Sequence, residues 1–291
     1  MPAKPLYRLL QAADLPAAQR LREFAHWNQT GQDWLNLLAM EPRGCFAAEV
    51  DGQVIGTATT TRFLPDAGPG SFGWVGMVLV HPEFRGHGVG SALLQQACAY
   101  LRACGVETIK LDATPLGQPV YLKHGFQAEC SLERWAGTVV PRASSPLSAI
   151  APLTASDLAS VAACDEPAFG ANRRSILQTW LQSWPERALA AWDGPRLAGY
   201  ALARRGTNYN QAGPIVCDEP EAGRALLARV LDLLAGQPMI LDIFSENARV
   251  SELAAEAGLT LQRPLMRMYQ GPNTAPGQRH KVIAIAGPEV G

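Results

Sequence analysis

Val78-Leu79-Val80-His81-Pro82-Glu83-Phe84-Arg85-Gly86-His87-Gly88-Val89-Gly90-Ser91 is the stretch from which the rest of the chain is read. Before it, FGWVGMVLV (72–80) is apolar at odd and even positions alike. That predicts a strand buried on both faces. After it, SALLQQACAYLRACG (91–105) predicts a helix: Leu93, Ala97, Tyr100, Leu101 and Cys104 share one face, and Gly105 terminates it. Between them lie Arg85 and glycines at alternate positions. Such glycines let the backbone turn with its N–H groups pointing inward. At a helix start those N–H groups lack an intrahelical partner, and the helix dipole adds partial positive charge. The stretch reads as an anion cradle suited to a pyrophosphate, with Arg85 placed to add a bidentate contact.

Two nucleotide motifs compete for the same residues. A Walker loop needs lysine after its last glycine, and none follows here. A G-x-G-x-x-G fingerprint fails because Ser91 stands three residues after Gly88, and because HPEFR separates the glycines from the strand. Asp112, at the end of the next predicted strand, is the one feature that suits a dinucleotide site. The plain alternative is a glycine cluster that only turns the chain.

Outward from this motif the chain alternates strand and helix signals. Residues 6–9 predict a short strand, Asp14 with Pro16 opens a helix to about Trp27, and a second helix runs from Asp33 to Met40. CFAAEV and QVIGTATTTRF flank Asp51-Gly52, a strong hairpin signal, and Pro65, Gly68, Pro69 and Gly70 mark a loop. ETIKLDA predicts a strand, VYLKHGF a short helix and turn, and QAECSLERWAG another strand. Residues 141–149, rich in Pro, Ser and Ala, predict a linker between a domain at 1–140 and another at 150–291.

The second half repeats the rhythm. A strand near 148–153 precedes helices at 155–164 and 174–183, and a hairpin turns at Asp193-Gly194. AGPIV is a strand, Glu219 to about Leu234 a helix, MILDIF a strand, Asn247 to Ala257 a helix, and LTLQRPLMRMY a closing strand. KVIAIAG supplies one more possible strand. The element order implies a duplicated α/β unit of about 140 residues.

Composition narrows the class. The chain has 291 residues, 47% of them hydrophobic and 18% charged, with a formal charge of −1. These values fit a globular protein and give no reason to expect a nucleic-acid or membrane-surface partner. No apolar run approaches the roughly 18 residues of a membrane span, and MPAKPLYRLLQAADLP lacks the apolar core of a signal peptide. The six cysteines form no C-x-x-C pair and stand at no metal-ligand spacing from a histidine. They predict reduced core thiols, no metal site and a cytoplasmic protein.

The quoted residues resemble a known family. Arg85-Gly86-His87-Gly88-Val89-Gly90 is similar to the acetyl-CoA pyrophosphate loop of the GCN5-related N-acetyltransferases, and Val80-His81-Pro82-Glu83-Phe84 resembles the usual lead-in. Tyr121-Leu122-Lys123-His124-Gly125-Phe126 resembles the family's Y-x-K-x-G-F segment. With the Gly-Met-Val-Leu-Val strand, LDATPLGQPVY and the closing IAGPEVG, the whole chain resembles a tandem two-domain branch. The fold implied is α/β (α+β): two tandem domains, each a mixed, mostly antiparallel sheet flanked by helices.

The resemblance also implies a reaction. Acetyl-CoA, as cosubstrate, would lie along Met77, Val78, Leu79 and Val80, with its pyrophosphate on Arg85, Gly86, His87, Gly88, Val89, Gly90 and Ser91. A backbone N–H near Val78 would act as oxyanion donor, and Tyr121 would protonate the leaving thiolate. The acceptor would be a small-molecule primary amine that attacks directly after losing a proton. Glu23, His26, Glu49 and Asp112 all stay open as its base, as does ordered water. A sensor or scaffold that binds acyl-CoA without turnover is the alternative, with a nucleotide-dependent oxidoreductase third. Oligomeric state is left open.

The second half lacks the cradle. In GPIVCDEPEAGRALL no arginine and no glycine triplet follow the strand, and Asp218, Glu219 and Glu221 occupy the phosphate position. Acidic groups there cap a helix but repel pyrophosphate. This half is expected not to bind CoA in the ordinary way, and to serve as part of the amine pocket or as support. Arg173 and Arg174 are candidate ligands for a substrate carboxylate, and Trp180, Trp184 and Trp192 read as core.

Overall fold

The structure is a computed structural model that describes residues 4–64, 71–141 and 150–291. The expected loop at 65–70 and residues 142–149 of the expected linker lie outside the described residues. The first half comprises β1 (Leu6–Leu9), α1 (Leu15–Phe24), α2 (Gly31–Met40), β2 (Phe46–Val50), β3 (Gln53–Phe63), β4 (Phe72–Val80), α3 (Val89–Ala103), β5 (Ile109–Ala113), α4 (Gln118–Lys123) and β6 (Gln127–Thr138). In the second half follow β7 (Ile150–Pro152), α5 (Leu158–Phe169), α6 (Arg174–Ser183), β8 (Ala188–Asp193), β9 (Arg196–Arg205), β10 (Asn210–Cys217), α7 (Pro220–Leu233), β11 (Pro238–Phe244), α8 (Ala248–Glu256), β12 (Thr260–Gln270) and β13 (Val282–Ala284).

All the strands join in one mixed sheet, in the order β1-β2-β3-β4-β5-β12-β6-β11-β10-β9-β8-β7, with β13 beside β10. The order is palindromic about the β12–β6 ladder. Each half's last long strand leaves its own half: β12 runs antiparallel to β5, and β6 antiparallel to β11. One buried ion pair pins each exchange. Arg267 of β12 grips Asp112 of β5 at 2.8 and 2.9 Å, and Arg134 of β6 grips Asp242 of β11 at 2.7 and 2.8 Å. In both cases the two residues are also ladder partners. Removing one member of such a pair strands a buried charge, at a cost of about 3–5 kcal/mol.

Helices cover both faces because the central strands are apolar on both parities. The buried Leu93, Leu94, Ala97 and Leu101 of α3 pack on the first half, and Leu226, Leu227, Val230 and Leu231 of α7 on the second. On the opposite face the two halves share one core, in which Trp34 and Leu37 of α2 join Leu177, Trp180 and Leu181 of α6. Trp184 and Trp192 pack against it.

Helix α1 stops at Phe24, short of the expected Trp27, because His26 adopts a left-handed φ of 53°. That turn diverts Trp27, Asn28 and Gln29 toward the centre of the molecule. Helix α5 runs to Phe169 through Pro167, past the expected end at 164, and closes on Gly170 at φ 96°. The cysteines are free, with Cys45 and Cys217 buried and the other four half-buried. Among the described residues, no helix is long and apolar enough to cross a membrane.

Candidate active site

Strand β4 leaves its neighbours partway along. It pairs with β5 only at Gly73↔Ile109 and Trp74↔Lys110. On its other edge Thr57 faces Leu79 and Thr59 faces Gly76, so the ladder skips Met77 and Val78. Met77 takes a left-handed φ of 49°, and its carbonyl accepts a hydrogen bond from Thr57 Oγ1 at 2.9 Å. The bulge re-aims the backbone at Val78. Beyond Trp74 the strands diverge and leave a wedge whose β4 edge is unpaired.

The glycine stretch lies at the wide end of that wedge. Gly86 and Gly88 have φ 78° and 81°, and a Cβ added at either would meet nothing within 4 Å. Gly88 is the left-handed N-cap of α3, so the N–H groups of the first helical turn point outward from Val89. His87 Nδ1 donates to the Arg85 carbonyl at 2.8 Å, and Arg85 Nε donates to the Val80 carbonyl at 3.0 Å. These contacts tie the loop to the strand end. Gly90 is helical, and its own Cβ would sit 3.4 Å from Val80 Cγ2, so only Gly86 and Gly88 need glycine for their conformation. Together the bare backbone and the helix start offer a surface of the kind that suits an anion.

The narrow end opens into a cleft of about 440 Å3, counting its mouth. Val75, Gly76, Met77 and Val78 line one wall, and Asp112, Thr114 and Tyr121 another. Trp27, Gln29, Arg134, Arg263, Leu265, Pro288 and Glu289 complete it. The Tyr121 ring stacks edge-on with Phe126 at 5.9 Å. Its hydroxyl has no hydrogen-bond partner among the described residues. Burial, with a contribution from Cys98, pushes that phenol above its ordinary pKa, so it stays a proton donor at neutral pH.

Among the base candidates, only Asp112 lines the cleft. Glu49 pairs with Arg8 at the hairpin, and Glu23 and His26 are exposed. Asp112 itself is committed to Arg267; burial pushes its carboxyl up against the pull of that guanidinium. Arg173 does not face the cleft either. It is buried, holds Asp165 through two 2.8 Å hydrogen bonds and donates to the Gly291 carbonyl at 2.7 Å. Arg174 is exposed at the start of α6.

The cleft residues that sequence reasoning missed arrive from afar. Arg134 and Arg263 come on the exchanged strands, and Glu289 on the segment after β13. That segment first fills the second half's own wedge. Ile215 and Val216 of β10 pair with Ala284 and Val282, and the Ile285 N–H donates to the Asp242 carbonyl at 2.9 Å. The wedge that stands open in the first half is therefore closed by this segment in the second. The expected acidic cluster is ion-paired as well: Asp218 binds Arg196 at 2.6 Å and Lys281 at 3.2 Å. Past Ala286 the segment crosses to the first half, where the Pro288 carbonyl accepts from Trp74 Nε1 at 3.0 Å. A Cβ at Gly76 would come within 2.6 Å of the Glu289 carbonyl oxygen, so glycine there permits the contact.

Comparison with known proteins identifies the family and the fold. The sequence model "Acetyltransferase (GNAT) family" matches residues 5–126, and "Acetyltransferase (GNAT) domain" matches residues 161–284. The chain is 26% identical over 281 residues to the uncharacterized N-acetyltransferase YitH of Bacillus subtilis (strain 168), covering 94% of this chain and 93% of that one. Over 133 residues, 42% of this chain and 88% of the other, it is 28% identical to glucosamine 6-phosphate N-acetyltransferase of Trypanosoma brucei brucei. A crystal structure from Pyrococcus horikoshii, assigned as an acetyltransferase, superposes with a TM-score of 0.82 at 19% identity, over 99% of this chain and 96% of that one.

Proposed function

The chain belongs to the acetyltransferase (GNAT) family as a tandem member, and from that premise we propose that its first half acetylates the primary amine of a small molecule, taking the acetyl group from acetyl-CoA. One observation carries the assignment to this half. The β4 wedge is open and ends on a glycine cradle, whereas its counterpart at β10 is filled by residues 282–286. GNAT enzymes use acetyl-CoA, and the fit here rests on the bare cradle and the unpaired strand edge. The named acceptor of the trypanosomal relative, a small amine, supports the acceptor class.

Bound acetyl-CoA supplies an acetyl group activated as a thioester. Arg85, Gly86, His87, Gly88, Val89, Gly90 and Ser91 hold its pyrophosphate, and the edge of Met77, Val78, Leu79 and Val80 pairs with its amides. The N–H at the Val78 bulge lies outside the ladder and polarises the carbonyl under attack. The amine enters from the cleft side, and Tyr121 gives its proton to the departing sulfur. Of the two cleft carboxylates, burial raises that of Glu289 as well, and Arg204 opposes the rise. Both Asp112 and Glu289 are ion-paired, so the amine's proton leaves through the water of the open mouth. Titration with acetyl-CoA, followed by thiol release over a panel of amines, tests the proposal. CoA binding with no thiol release from any amine would overturn it in favour of a sensor.

A further inference from the structure

The cleft is lined by groups of both charges. Glu289, which lines the cleft, shares a cation, Arg204, with the buried Asp33 behind it; Arg204 lies 3.0 Å from Asp33 and in close contact with Glu289. Glu289 also accepts from Gln29 Nε2 at 2.8 Å, which leaves Gln29 Oε1 buried without a partner. A carboxylate with a spare buried acceptor beside it suits an incoming ammonium.

The cleft's two arginines carry the opposite charge. Arg263 and Arg134 are direct cross-strand partners in the β6–β12 ladder. Like charges placed so are destabilising. Their nearest anion, Asp242, is saturated: Arg134 takes both its oxygens, and Gln211 donates to one of them at 3.1 Å. Arg263 has no hydrogen-bond or ion-pair partner among the described residues, and its Nε is buried without an acceptor. Burial and the neighbouring Arg134 both press its pKa down, so the folded chain resists this charge. Natural chains keep destabilising groups chiefly where function needs them.

We infer that the acceptor is an amine bearing a carboxylate or a phosphate, and that Arg263 is the counter-ion for that group. The inference rests on the proposed acetyl transfer and adds the substrate class. Arg263 is a positioning residue, since it holds the end of the acceptor remote from the reacting nitrogen.

Matched acceptors test it: n-butylamine against norvaline for the carboxylate, and ethanolamine against O-phosphoethanolamine for the phosphate. Wild-type protein should prefer at least one anionic member. Arg263→Gln should raise KM for that member about 10- to 100-fold, the worth of a charge-assisted hydrogen bond. The neutral amine's KM and the CoA affinity should stay unchanged, and Arg263→Lys should recover part of the loss. Arg263→Met should also melt higher than wild type by about 2–4 °C, because it removes an unpaired, half-buried charge. A lower melting point would make Arg263 structural and overturn the inference, as would a preference that survives in Arg263→Gln. If none of these four amines turns over, norvaline and inorganic phosphate are titrated into the CoA-saturated protein. Saturable binding lost in Arg263→Gln supports the inference, and no binding overturns it. Wild-type protein that fails to bind CoA would instead refute the proposed transfer itself.

Discussion

Gly88→Ala probes the cradle with a defined perturbation. Gly88 sits at φ 81° and ψ 0° with open space where a Cβ would go, so the substitution introduces no clash. What it introduces is the left-handed penalty of an L-residue, about 1–2 kcal/mol. The loop is exposed and its neighbours do not over-determine it, so the substituted loop relaxes in the free protein. Binding must then restore the cradle, and acetyl-CoA affinity falls about 5- to 30-fold. Calorimetric titration of the purified protein measures it. Gly236→Ala is the control: its φ is 73° and it too has open space, but it lies in the turn between α7 and β11. It should lose similar stability and keep CoA affinity. An affinity for Gly88→Ala within about twofold of wild type, or an equal loss in Gly236→Ala, would refute the cradle.

Tyr121→Phe removes a hydroxyl that no described residue hydrogen-bonds, so stability should hold while kcat drops about 100- to 10,000-fold, with CoA affinity intact in the same titration. Arg173→Ala strands Asp165 in the core and should cost about 3–5 kcal/mol in urea unfolding, while KM for the acceptor is unaffected. Burial raises the Asp242 carboxyl, but Arg134 and Gln211 outweigh it and hold the group below its ordinary 3.8. Its contribution is therefore present above pH 3.8 and lost as pH falls through the folded value, so the destabilisation by Asp242→Asn should shrink on acidification through that range. Asp112 is raised, so Asp112→Asn should show the opposite trend in the same acid-unfolding series.

The parts of the site that could be read in advance are those coded by contiguous residues. A buried strand, two left-handed glycines and a helix start all fall within 72–105, so local rules suffice. Tyr121 was legible for the same reason. Asp112 was not: its meaning depends on Arg267, 155 residues away, and an isolated aspartate at a strand end looks the same whether free or paired. Glu289 meets Gln29 across 260 residues. Strand rhythm revealed the duplication but not the exchange, because β6 and β12 carry the same alternation whichever half they join. Arg263 left no trace either, since an exposed and an uncompensated, half-buried arginine are written with the same letter. The end of α1 escapes a local reading because apolar residues continue to Trp27 while the backbone turns at His26.

The crossing of β6 and β12 has a consequence for synthesis. The glycine loop leaves the ribosome well before Arg263 and Glu289, which line the cleft, and neither half completes its own layer of strands without the other. A chain stopped before β12 thus carries the glycine loop without the far wall of the cleft. The later copy closes its own opening and lends a strand and cleft residues to the earlier one, so neither copy completes its layer of strands alone.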